Sequence, residues 1–211
     1  MAPWIRYLAK SALQGCFPSG NFLWRLPRES SAVALTFDDG PDPVYTPQIL
    51  DLLCREECKA TFFVIGKNVE RYPEITKRIA DDGHSLGVHG YEHREIVGLS
   101  AQSLADELNN CRVAIYKTTG VDTKLFRPPR GKVSALSILR VIRLGYCLVH
   151  WTKTYGDYDA DSVDMLLARM EYQPMRERDI ILLHDHNPFT VSALANVIPR
   201  IRQNGSKFQA I

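Results

Sequence analysis

The chain has 211 residues, a length that suits one domain and leaves little room for a second. Hydrophobic residues make up 45% of it and charged residues 24%, a composition typical of soluble globular proteins. The formal net charge is only +2, so there is no electrostatic reason to expect nucleic acid or an anionic membrane as a partner. The cysteines are scattered and odd in number, which argues against a disulfide framework.

Residues 1–31 are predicted to form an N-terminal extension that packs on a domain spanning residues 32–211. Arg6 and Lys10 interrupt the apolar run of this extension, so we expect neither a signal peptide nor a stable membrane span. A cytoplasmic location is therefore favoured. An amphipathic helix over residues 4–13 is an alternative that would allow weak peripheral association with a membrane.

From residue 32 onward, short apolar or β-branched runs alternate with longer segments of helical periodicity. The runs predicted to be strands are residues 32–37, 60–65, 85–88, 124–127, 146–151, 179–184 and 207–211. The segments predicted to be helices are residues 46–57, 73–82, 100–119, 133–144, 161–172 and 191–203. This alternation indicates parallel strands joined by crossover helices, which fits either an open doubly wound sheet or a (β/α) barrel.

Polar side chains with metal-binding or proton-transfer chemistry stand at the ends of the predicted strands. They are Asp38, Asp39, His89, His93, Arg127 and His184. Because the carboxyl ends of parallel strands lie on one face of the sheet, we expect these side chains to meet although they are distant in sequence. Unrelated surface residues would not be confined to that face.

His89 and His93 are four residues apart, a spacing that brings two imidazoles to one side of a helical turn or compact loop. A carboxylate from Asp39 would complete a set of three ligands and leave one coordination position open, as in catalytic zinc sites. Co²⁺, Ni²⁺ and Mn²⁺ are also compatible, whereas Mg²⁺ and Ca²⁺ prefer more oxygen ligands. The pattern therefore predicts a catalytic site for a divalent metal, with Zn²⁺ favoured.

Asp38 and Asp39 are adjacent, and neighbours on an extended chain point to opposite sides. We therefore expect different roles for them: one binds the metal, and the other meets the water molecule that the metal activates. The surrounding DDGPDP sequence also favours a turn at this position.

The motifs that carry these residues are TFDDGP at 36–41, HGYEH at 89–93, RPP at 127–129 and LLH at 182–184. Together they resemble the polysaccharide deacetylases of carbohydrate esterase family 4, which include chitin, chitooligosaccharide and peptidoglycan deacetylases. The resemblance covers nearly the whole chain, from about residue 33 to the end. It implies an α/β fold, a distorted, incomplete (β/α) barrel of about seven parallel strands, in preference to the open sheet.

The same resemblance implies an activity and roles for individual residues. Residues 32–211 are expected to be a catalytic domain that uses metal-activated water to hydrolyse the N-acetyl group of an amino sugar in a polysaccharide, oligosaccharide or glycan precursor. The expected metal ligands are Asp39, His89 and His93. The expected general base is Asp38, with Arg127 paired to it, and the expected general acid is His184. The carbohydrate substrate is expected to contact Pro128, Pro129, Arg130, Trp151 and Leu182.

Some residues depart from the family's pattern. Gly90 replaces the Ser or Thr that usually follows the first metal histidine, so a hydroxyl that braces the loop is missing. Arg130 replaces the aromatic residue that usually follows RPP, which raises the hypothesis of an anionic group on the substrate. Thr154 replaces the first Asp of an Asp-x-x-Asp-Trp segment, the Asp that orients the catalytic histidine. Without another carboxylate the pKa of that histidine would be shifted less strongly; the candidates are Asp157, Asp159 and Asp185.

Two other functions remain open. A cyclic imide or ureide amidohydrolase would use the same metal site on a related barrel. A catalytically impaired member would bind glycan or metal without turnover, a hypothesis motivated by Thr154 and opposed by the intact set of ligands, base and acid. Among substrates, the lack of an evident export signal favours an intracellular glycan intermediate over a cell-wall polymer.

Overall fold

The computed structural model describes residues 20–203 and 205–211 of the chain. Its strands are β1 (Phe22–Leu23), β2 (Ala32–Asp38), β3 (Thr61–Val64), β4 (Ser85–Val88), β5 (Leu125–Phe126), β6 (Cys147–Val149), β7 (Lys153–Thr154), β8 (Ile180–His184) and β9 (Lys207–Phe208). Along the sheet the strands follow the order β1-β6-β5-β4-β3-β2-β8-β7, and β9 pairs with β2. Each of these pairings is parallel.

Helices connect most of the successive strands. They are α1 (Tyr45–Arg55), α2 (Gly66–Arg71), α3 (Pro73–Asp81), α4 (Ala101–Thr119), α5 (Ala135–Arg143), α6 (Val163–Tyr172) and α7 (Pro188–Gln203). The strands at the two ends of the sheet, β1 and β7, do not pair with each other in the described part of the chain, so the sheet curls without closing. The predicted incomplete (β/α) barrel is therefore confirmed.

Strand β2 lies at the centre of the sheet, between β3 and β8. All seven of its residues are buried, which matches the unbroken apolar run expected of a parallel strand covered on both faces. Val33, Leu35 and Phe37 belong to the main hydrophobic core, and Ala32 and Ala34 pack in a smaller cluster. This packing fixes the strand whose carboxyl end enters the site.

Serine side chains cap the amino ends of helices α4 and α6. Ser100 Oγ accepts a hydrogen bond from the Ser103 backbone N–H at 3.0 Å at the start of α4. Ser162 begins α6 in the same way, by accepting from the backbone N–H of Met165 at 3.2 Å. Gly145 follows α5 with a φ of 78°, which is the left-handed conformation expected of a glycine that ends a helix.

The structure contains elements that the periodicity did not predict, namely β1, β7 and α2. Strands of two residues are too short to show a period of two, and the six residues of α2 make fewer than two helical turns. The last helix begins at Pro188 rather than at residue 191, since proline is accepted in the first turn of a helix.

The N-terminal extension is described only from residue 20 onward. Strand β1 pairs with β6, with Phe22 next to Leu148 in the register, so residues 20–31 contribute to the edge of the sheet. The division at residue 32 stays a prediction. The alternative of an amphipathic helix over residues 4–13 lies outside the described residues. Within residues 20–203 and 205–211, every helix is too short or too polar to cross a bilayer.

Candidate active site

The predicted site residues converge at the carboxyl ends of the strands. Strand β2 ends with Asp38 and β8 ends with His184, and the parallel register places these two residues side by side. Strand β4 ends immediately before His89, and β5 ends immediately before Arg127. The fold therefore brings together residues that are far apart in sequence, as the topology predicted.

A cavity of about 490 Å³ opens at this face of the sheet. Its described lining residues are Asp38, Asp39, His89, His93, Arg130, Gly131, Trp151, Thr154, Tyr158, Leu182, His184 and His186. Of the predicted substrate contacts, Arg130, Trp151 and Leu182 line the cavity. Pro128 and Pro129 do not: both are buried, and the residues that follow them in the loop reach the cavity instead.

Asp38 and Arg127 form a buried ion pair behind the cavity. Arg127 Nη1 donates to Asp38 Oδ1 at 2.8 Å and to Thr36 Oγ1 at 2.6 Å. Its Nε and Nη2 donate to the carbonyl oxygens of Val149 and His150. Burial lowers the pKa of Arg127, and the charge of Asp38 opposes that shift. Because all three nitrogens of this guanidinium donate hydrogen bonds, Arg127 is held in place and fixes Oδ1 of Asp38. Oδ2 of Asp38 does not bind Arg127 and is the oxygen available to react.

Asp39, His89 and His93 bring their potential ligand atoms to one point. Asp39 Oδ1 lies 3.3 Å from His89 Nε2 and 3.1 Å from His93 Nε2. The three ligand atoms all lie within 4.8 Å of one another. A tetrahedral ion with bonds of about 2 Å separates its ligand atoms by roughly 3 Å, so the spacing suits one metal ion.

The hydrogen-bond partners of the His89 ring indicate whether a cation fits between these ligands. Its Nδ1 lies 2.8 Å from the carbonyl oxygen of Arg127, which can only accept a hydrogen bond, so Nδ1 carries the ring proton. In the neutral ring, Nε2 then presents a lone pair to Asp39 Oδ1 at 3.3 Å. Two acceptors at this distance require either a second proton on the ring or a cation between them. The donor set therefore fits a divalent metal.

Asp39 adopts a left-handed backbone conformation with a φ of 77°. The prediction that Asp38 and Asp39 point to opposite sides of an extended chain is therefore wrong, because the turn lets both carboxylates line the cavity. Asn68 Nδ2 holds this turn by donating to the Asp39 carbonyl oxygen at 2.8 Å. Burial acts to raise the pKa of Asp39, but hydrogen bonds and charge from His89 and His93 outweigh it and hold the pKa well below its usual range.

The two histidines lie on a compact loop rather than a helical turn, and His93 has a φ of 60°. Glu107 of α4 braces this loop: its Oε2 accepts from the backbone N–H groups of Tyr91 at 2.9 Å and Glu92 at 3.0 Å. Gly90 has a φ of 84°, and a Cβ there would lie 3.0 Å from the same Glu107 oxygen. A carboxylate from the neighbouring helix thus braces the loop where a hydroxyl at position 90 is missing.

His184 is bound to Asp157, a fully buried carboxylate. Asp157 Oδ1 lies 3.0 Å from His184 Nδ1, and Oδ2 accepts from the His184 backbone N–H at 2.6 Å and from Thr190 Oγ1 at 3.0 Å. Burial acts to lower the pKa of His184, but the hydrogen bond and charge of Asp157, together with the charges of Asp38 and Asp39, raise it to about 9. The ring is therefore protonated at neutral pH. Asp157 binds Nδ1, so Nε2 is the nitrogen available to a ligand in the cavity.

Asp157 is thus the carboxylate that compensates for Thr154. Of the other candidates, Asp159 is exposed and pairs with an arginine of α6, and Asp185 accepts a hydrogen bond from Thr46. The alternative that the pKa of His184 is shifted less strongly is wrong, because Asp157, the second acidic position of the segment, contacts the ring. The short 3-10 turn at Asp157–Asp159 places it there.

Asp185 lies buried against the loop that carries Asp39. Its Oδ2 accepts from Thr46 Oγ1 at 2.6 Å, and its Oδ1 has no partner among the described residues. Burial raises the pKa of Asp185 from 3.8 to about 7. Because the folded pKa lies above the unfolded one, the stabilisation from this group is complete below about pH 4 and is lost as the pH rises through about 7.

We expect the free energy of unfolding of the native chain to fall with pH relative to that of Asp185→Asn. The expected slope of this difference is roughly 1.4 kcal/mol per pH unit between pH 4 and 7, where only the unfolded Asp185 is ionised. Denaturant titrations in the presence of a chelator measure it. The exposed Asp81, at the end of α3, offers a control in Asp81→Asn, which should keep the native slope. Identical pH profiles for the native chain and Asp185→Asn would contradict the assignment.

Arg130 stands at the rim of the cavity with a φ of 57°. Its Nη1 lies 2.7 Å from Glu95 Oε1, and Lys132 Nζ lies 2.9 Å from the same oxygen. Glu95 therefore balances only part of the positive charge at the rim, and the hypothesis of an anionic substrate group stays a prediction. Next to it, a Cβ on Gly131 would lie 2.3 Å from the Trp151 ring, so the glycine makes room for that ring at the cavity wall.

Tyr158 and His186 also line the cavity, although neither is among the site residues predicted from the sequence. The Tyr158 ring meets the His184 ring edge-on, with centroids 5.6 Å apart. His186 Nδ1 lies 3.8 Å from Asp39 Oδ2. Both residues lie in loops that follow a strand, Tyr158 after β7 and His186 after β8. They would have been found by considering the whole of each loop at this face and not only the residues next to the strand.

Comparison with known proteins identifies the family. The sequence profile described as polysaccharide deacetylase matches residues 25–149, more than half of the chain. A peptidoglycan-N-acetylglucosamine deacetylase of Bacillus cereus is 33% identical over 199 residues, which cover 92% of this chain and 92% of that protein.

Solved structures agree with this match. A peptidoglycan N-acetylglucosamine deacetylase in complex with 4-naphthalen-1-yl-N-oxidanyl-benzamide superimposes with a TM-score of 0.85 at 29% identity, over 92% of this chain and 95% of that one. A pseudoenzyme of the same esterase family from Bacillus anthracis has a TM-score of 0.84 at 26% identity, over 92% of this chain and 68% of that one. The chain belongs to the polysaccharide deacetylases of carbohydrate esterase family 4, hydrolases that remove acetyl groups from the nitrogen of amino sugars.

Proposed function

We propose that the chain deacetylates an amino sugar with a Zn²⁺ ion held by Asp39, His89 and His93. The observation that carries the proposal is that three ligand atoms lie within 4.8 Å of one another in the cavity that Asp38 and His184 also line. Two imidazole nitrogens and one carboxylate oxygen favour Zn²⁺, with Co²⁺, Ni²⁺ and Mn²⁺ as alternatives. When bound, such an ion polarises an amide carbonyl and lowers the pKa of a water molecule.

Asp38 is proposed as the general base. Its Oδ1 is held by Arg127, and its Oδ2 lies 3.8 Å from His89 Nε2, so the second oxygen stands beside the proposed ligands. An ionised carboxylate in this position takes a proton from water as the water oxygen attacks the carbonyl carbon. Arg127 is proposed as a positioning residue, because its hydrogen bond fixes the orientation of the Asp38 carboxylate.

His184 is proposed as the general acid. An amine leaves a tetrahedral carbon readily only if its nitrogen gains a proton, and the protonated ring of His184 carries one at neutral pH. One proton passes from water to Asp38 and one passes from His184 to the nitrogen, so acetate and the free amino sugar result. The backbone N–H of Arg130 is proposed as a donor to the developing oxyanion, since Pro129 has no N–H.

For the substrate, we propose a glycan that contains N-acetylglucosamine. The support is the Bacillus cereus relative, whose name gives peptidoglycan N-acetylglucosamine as its substrate. The cytoplasmic location expected from the sequence stays a prediction, and with it the alternative of an intracellular glycan precursor. The test therefore uses three separate substrates: peptidoglycan fragments, N-acetylglucosamine oligomers and lipid-linked N-acetylated sugars.

The test is acetate release from each of these substrates, before and after the metal is removed with a chelator. We expect release from at least one glycan, loss of turnover to the background rate in chelator, and recovery when Zn²⁺ is added back. Full turnover after metal removal would contradict the proposed metal site. Hydrolysis of small cyclic imides instead of glycans would favour a cyclic amidohydrolase, and glycan binding without any acetate release would favour a catalytically impaired member.

A further inference from the structure

The loop between the two proposed metal-binding histidines is held on one side by the start of α2. The backbone N–H of Gly66 donates to the carbonyl oxygen of Gly90 at 3.0 Å. The backbone N–H of Lys67 donates to the carbonyl oxygen of Tyr91 at 3.1 Å. A Cβ on Gly66 would lie 2.4 Å from the Tyr91 ring, so the missing side chain permits this close approach. The carbonyl groups of the loop are therefore bonded to a neighbouring element.

Glu107 of α4 holds the other side of the same loop. Its side chain is buried, and one carboxylate oxygen accepts from the backbone N–H groups of both Tyr91 and Glu92. Hydrogen bonds from backbone N–H groups to a carboxylate are stronger than those between neutral groups. The contacts from α2 are made by backbone atoms, whereas Glu107 contributes a side chain that can be replaced.

The loop needs this support because part of its backbone is left-handed. Gly90 has a φ of 84° and His93 a φ of 60°. Glycine accepts this conformation, whereas a residue with a Cβ keeps it only where the surrounding contacts hold it. The His89 ring is also fixed by the carbonyl oxygen of Arg127, and its side chain is 2% exposed against 30% for His93. Loss of the Glu107 contacts should therefore displace His93 more than His89.

We propose that Glu107 is a positioning residue that sets the affinity of the site for its metal ion. Glu107 is not among the described residues that line the cavity, so it acts through the loop and not on the substrate. Its contacts keep His93 Nε2 at 3.1 Å from Asp39 Oδ1. Ligands that are already in place lose less conformational freedom when an ion binds, so the affinity is higher. This inference rests on the proposed function, since it assumes that an ion binds Asp39, His89 and His93.

The test compares Glu107→Ala, Glu107→Gln and Asp106→Ala by calorimetric Zn²⁺ titration of the metal-free proteins. For Glu107→Ala we expect a loss of Zn²⁺ affinity of roughly 10- to 100-fold, the range typical for removal of a group that orients metal ligands. Glu107→Gln keeps a side-chain oxygen that can accept both N–H groups, so its affinity should be close to that of the native chain. Asp106→Ala is the matched control, because the exposed Asp106 precedes Glu107 on α4 and bonds to Gln102 of the same helix.

Acetate release at different Zn²⁺ concentrations separates metal affinity from a general loss of structure. Glu107→Ala should lose turnover at a Zn²⁺ concentration that saturates the native chain, and should recover it when Zn²⁺ is raised by roughly the same 10- to 100-fold factor. Native Zn²⁺ affinity in folded Glu107→Ala would overturn the inference. So would a loss of affinity in Glu107→Gln as large as that in Glu107→Ala, or turnover that added Zn²⁺ does not restore.

Amide hydrogen exchange of the metal-free protein tests the role of Glu107 without relying on metal binding. In Glu107→Ala the N–H groups of Tyr91 and Glu92 lose their acceptor, so both should exchange faster than in the native chain. A native chain that binds no Zn²⁺ would contradict the proposed function but not the role of Glu107 in the loop. Unchanged exchange at both amides would contradict that role.

Discussion

Replacement of Asp38 by asparagine is expected to lower kcat/KM for acetate release by about 1,000-fold while the metal stays bound. The amide cannot take a proton from water, and general base catalysis contributes factors of this order. Metal affinity should change little, because the proposed ligands are Asp39, His89 and His93. Acetate assays together with calorimetric Zn²⁺ titration of the metal-free protein measure the two quantities separately.

The contrasting variant is Asp39→Ala, for which both turnover and Zn²⁺ affinity should be lost. Asp38→Asn also leaves the buried charge of Arg127 without its ion-pair partner, so thermal unfolding must show that the variant is folded under the assay conditions. Asp81→Asn, at the exposed carboxyl end of α3, controls for the loss of a carboxylate. Native turnover in folded Asp38→Asn would show that the base is another group.

Replacement of Asp157 by asparagine is expected to move the alkaline limb of the kcat profile to lower pH. Turnover needs the proton on His184, so activity is lost as the pH rises through the pKa of that ring, about 9 in the native chain. Asp157→Asn removes the hydrogen bond and charge that raise this pKa, so the ring loses its proton at a lower pH. We expect a shift of at least about one unit, which lowers kcat roughly 5-fold at pH 9 and roughly 10-fold well above that pH.

Asp159→Asn is the matched control for this shift. Asp159 lies two residues along the same 3-10 turn and pairs with Arg169 instead of His184, so its replacement should leave the limb in place. Because Asp157 also accepts from Thr190, circular dichroism and thermal unfolding should accompany the profile. A limb that stays at its native pH in Asp157→Asn, or that moves equally in both variants, would contradict the assignment.

The parts of the site that could be predicted from sequence are those that depend on strand ends. Asp38 and His184 end their strands, and His89 and Arg127 follow theirs directly, so the parallel topology alone brings them to one face. The parallel strands could also be predicted, since buried parallel strands appear in the sequence as continuous apolar runs. The choice of a barrel over an open sheet depended on the family resemblance, because the same pattern fits both.

The parts that could not be predicted depend on contacts between distant segments. Nothing in the sequence near Gly90 indicates that Glu107, on the following helix, accepts two backbone hydrogen bonds from that loop. The choice of Asp157 among the acidic candidates depends on a short 3-10 turn with no periodicity to detect. The common orientation of Asp38 and Asp39 follows from one left-handed residue, an exception to the alternation expected on a strand.

X-ray absorption and anomalous diffraction of the Zn²⁺-loaded protein test the central claim most directly. The account predicts one ion bonded to the Nε2 atoms of His89 and His93 at about 2.0–2.1 Å and to an oxygen of Asp39 at about 2.0–2.2 Å, with Asp38 outside the coordination sphere. Zinc bound at other residues, or bound through Asp38 in place of Asp39, would contradict it.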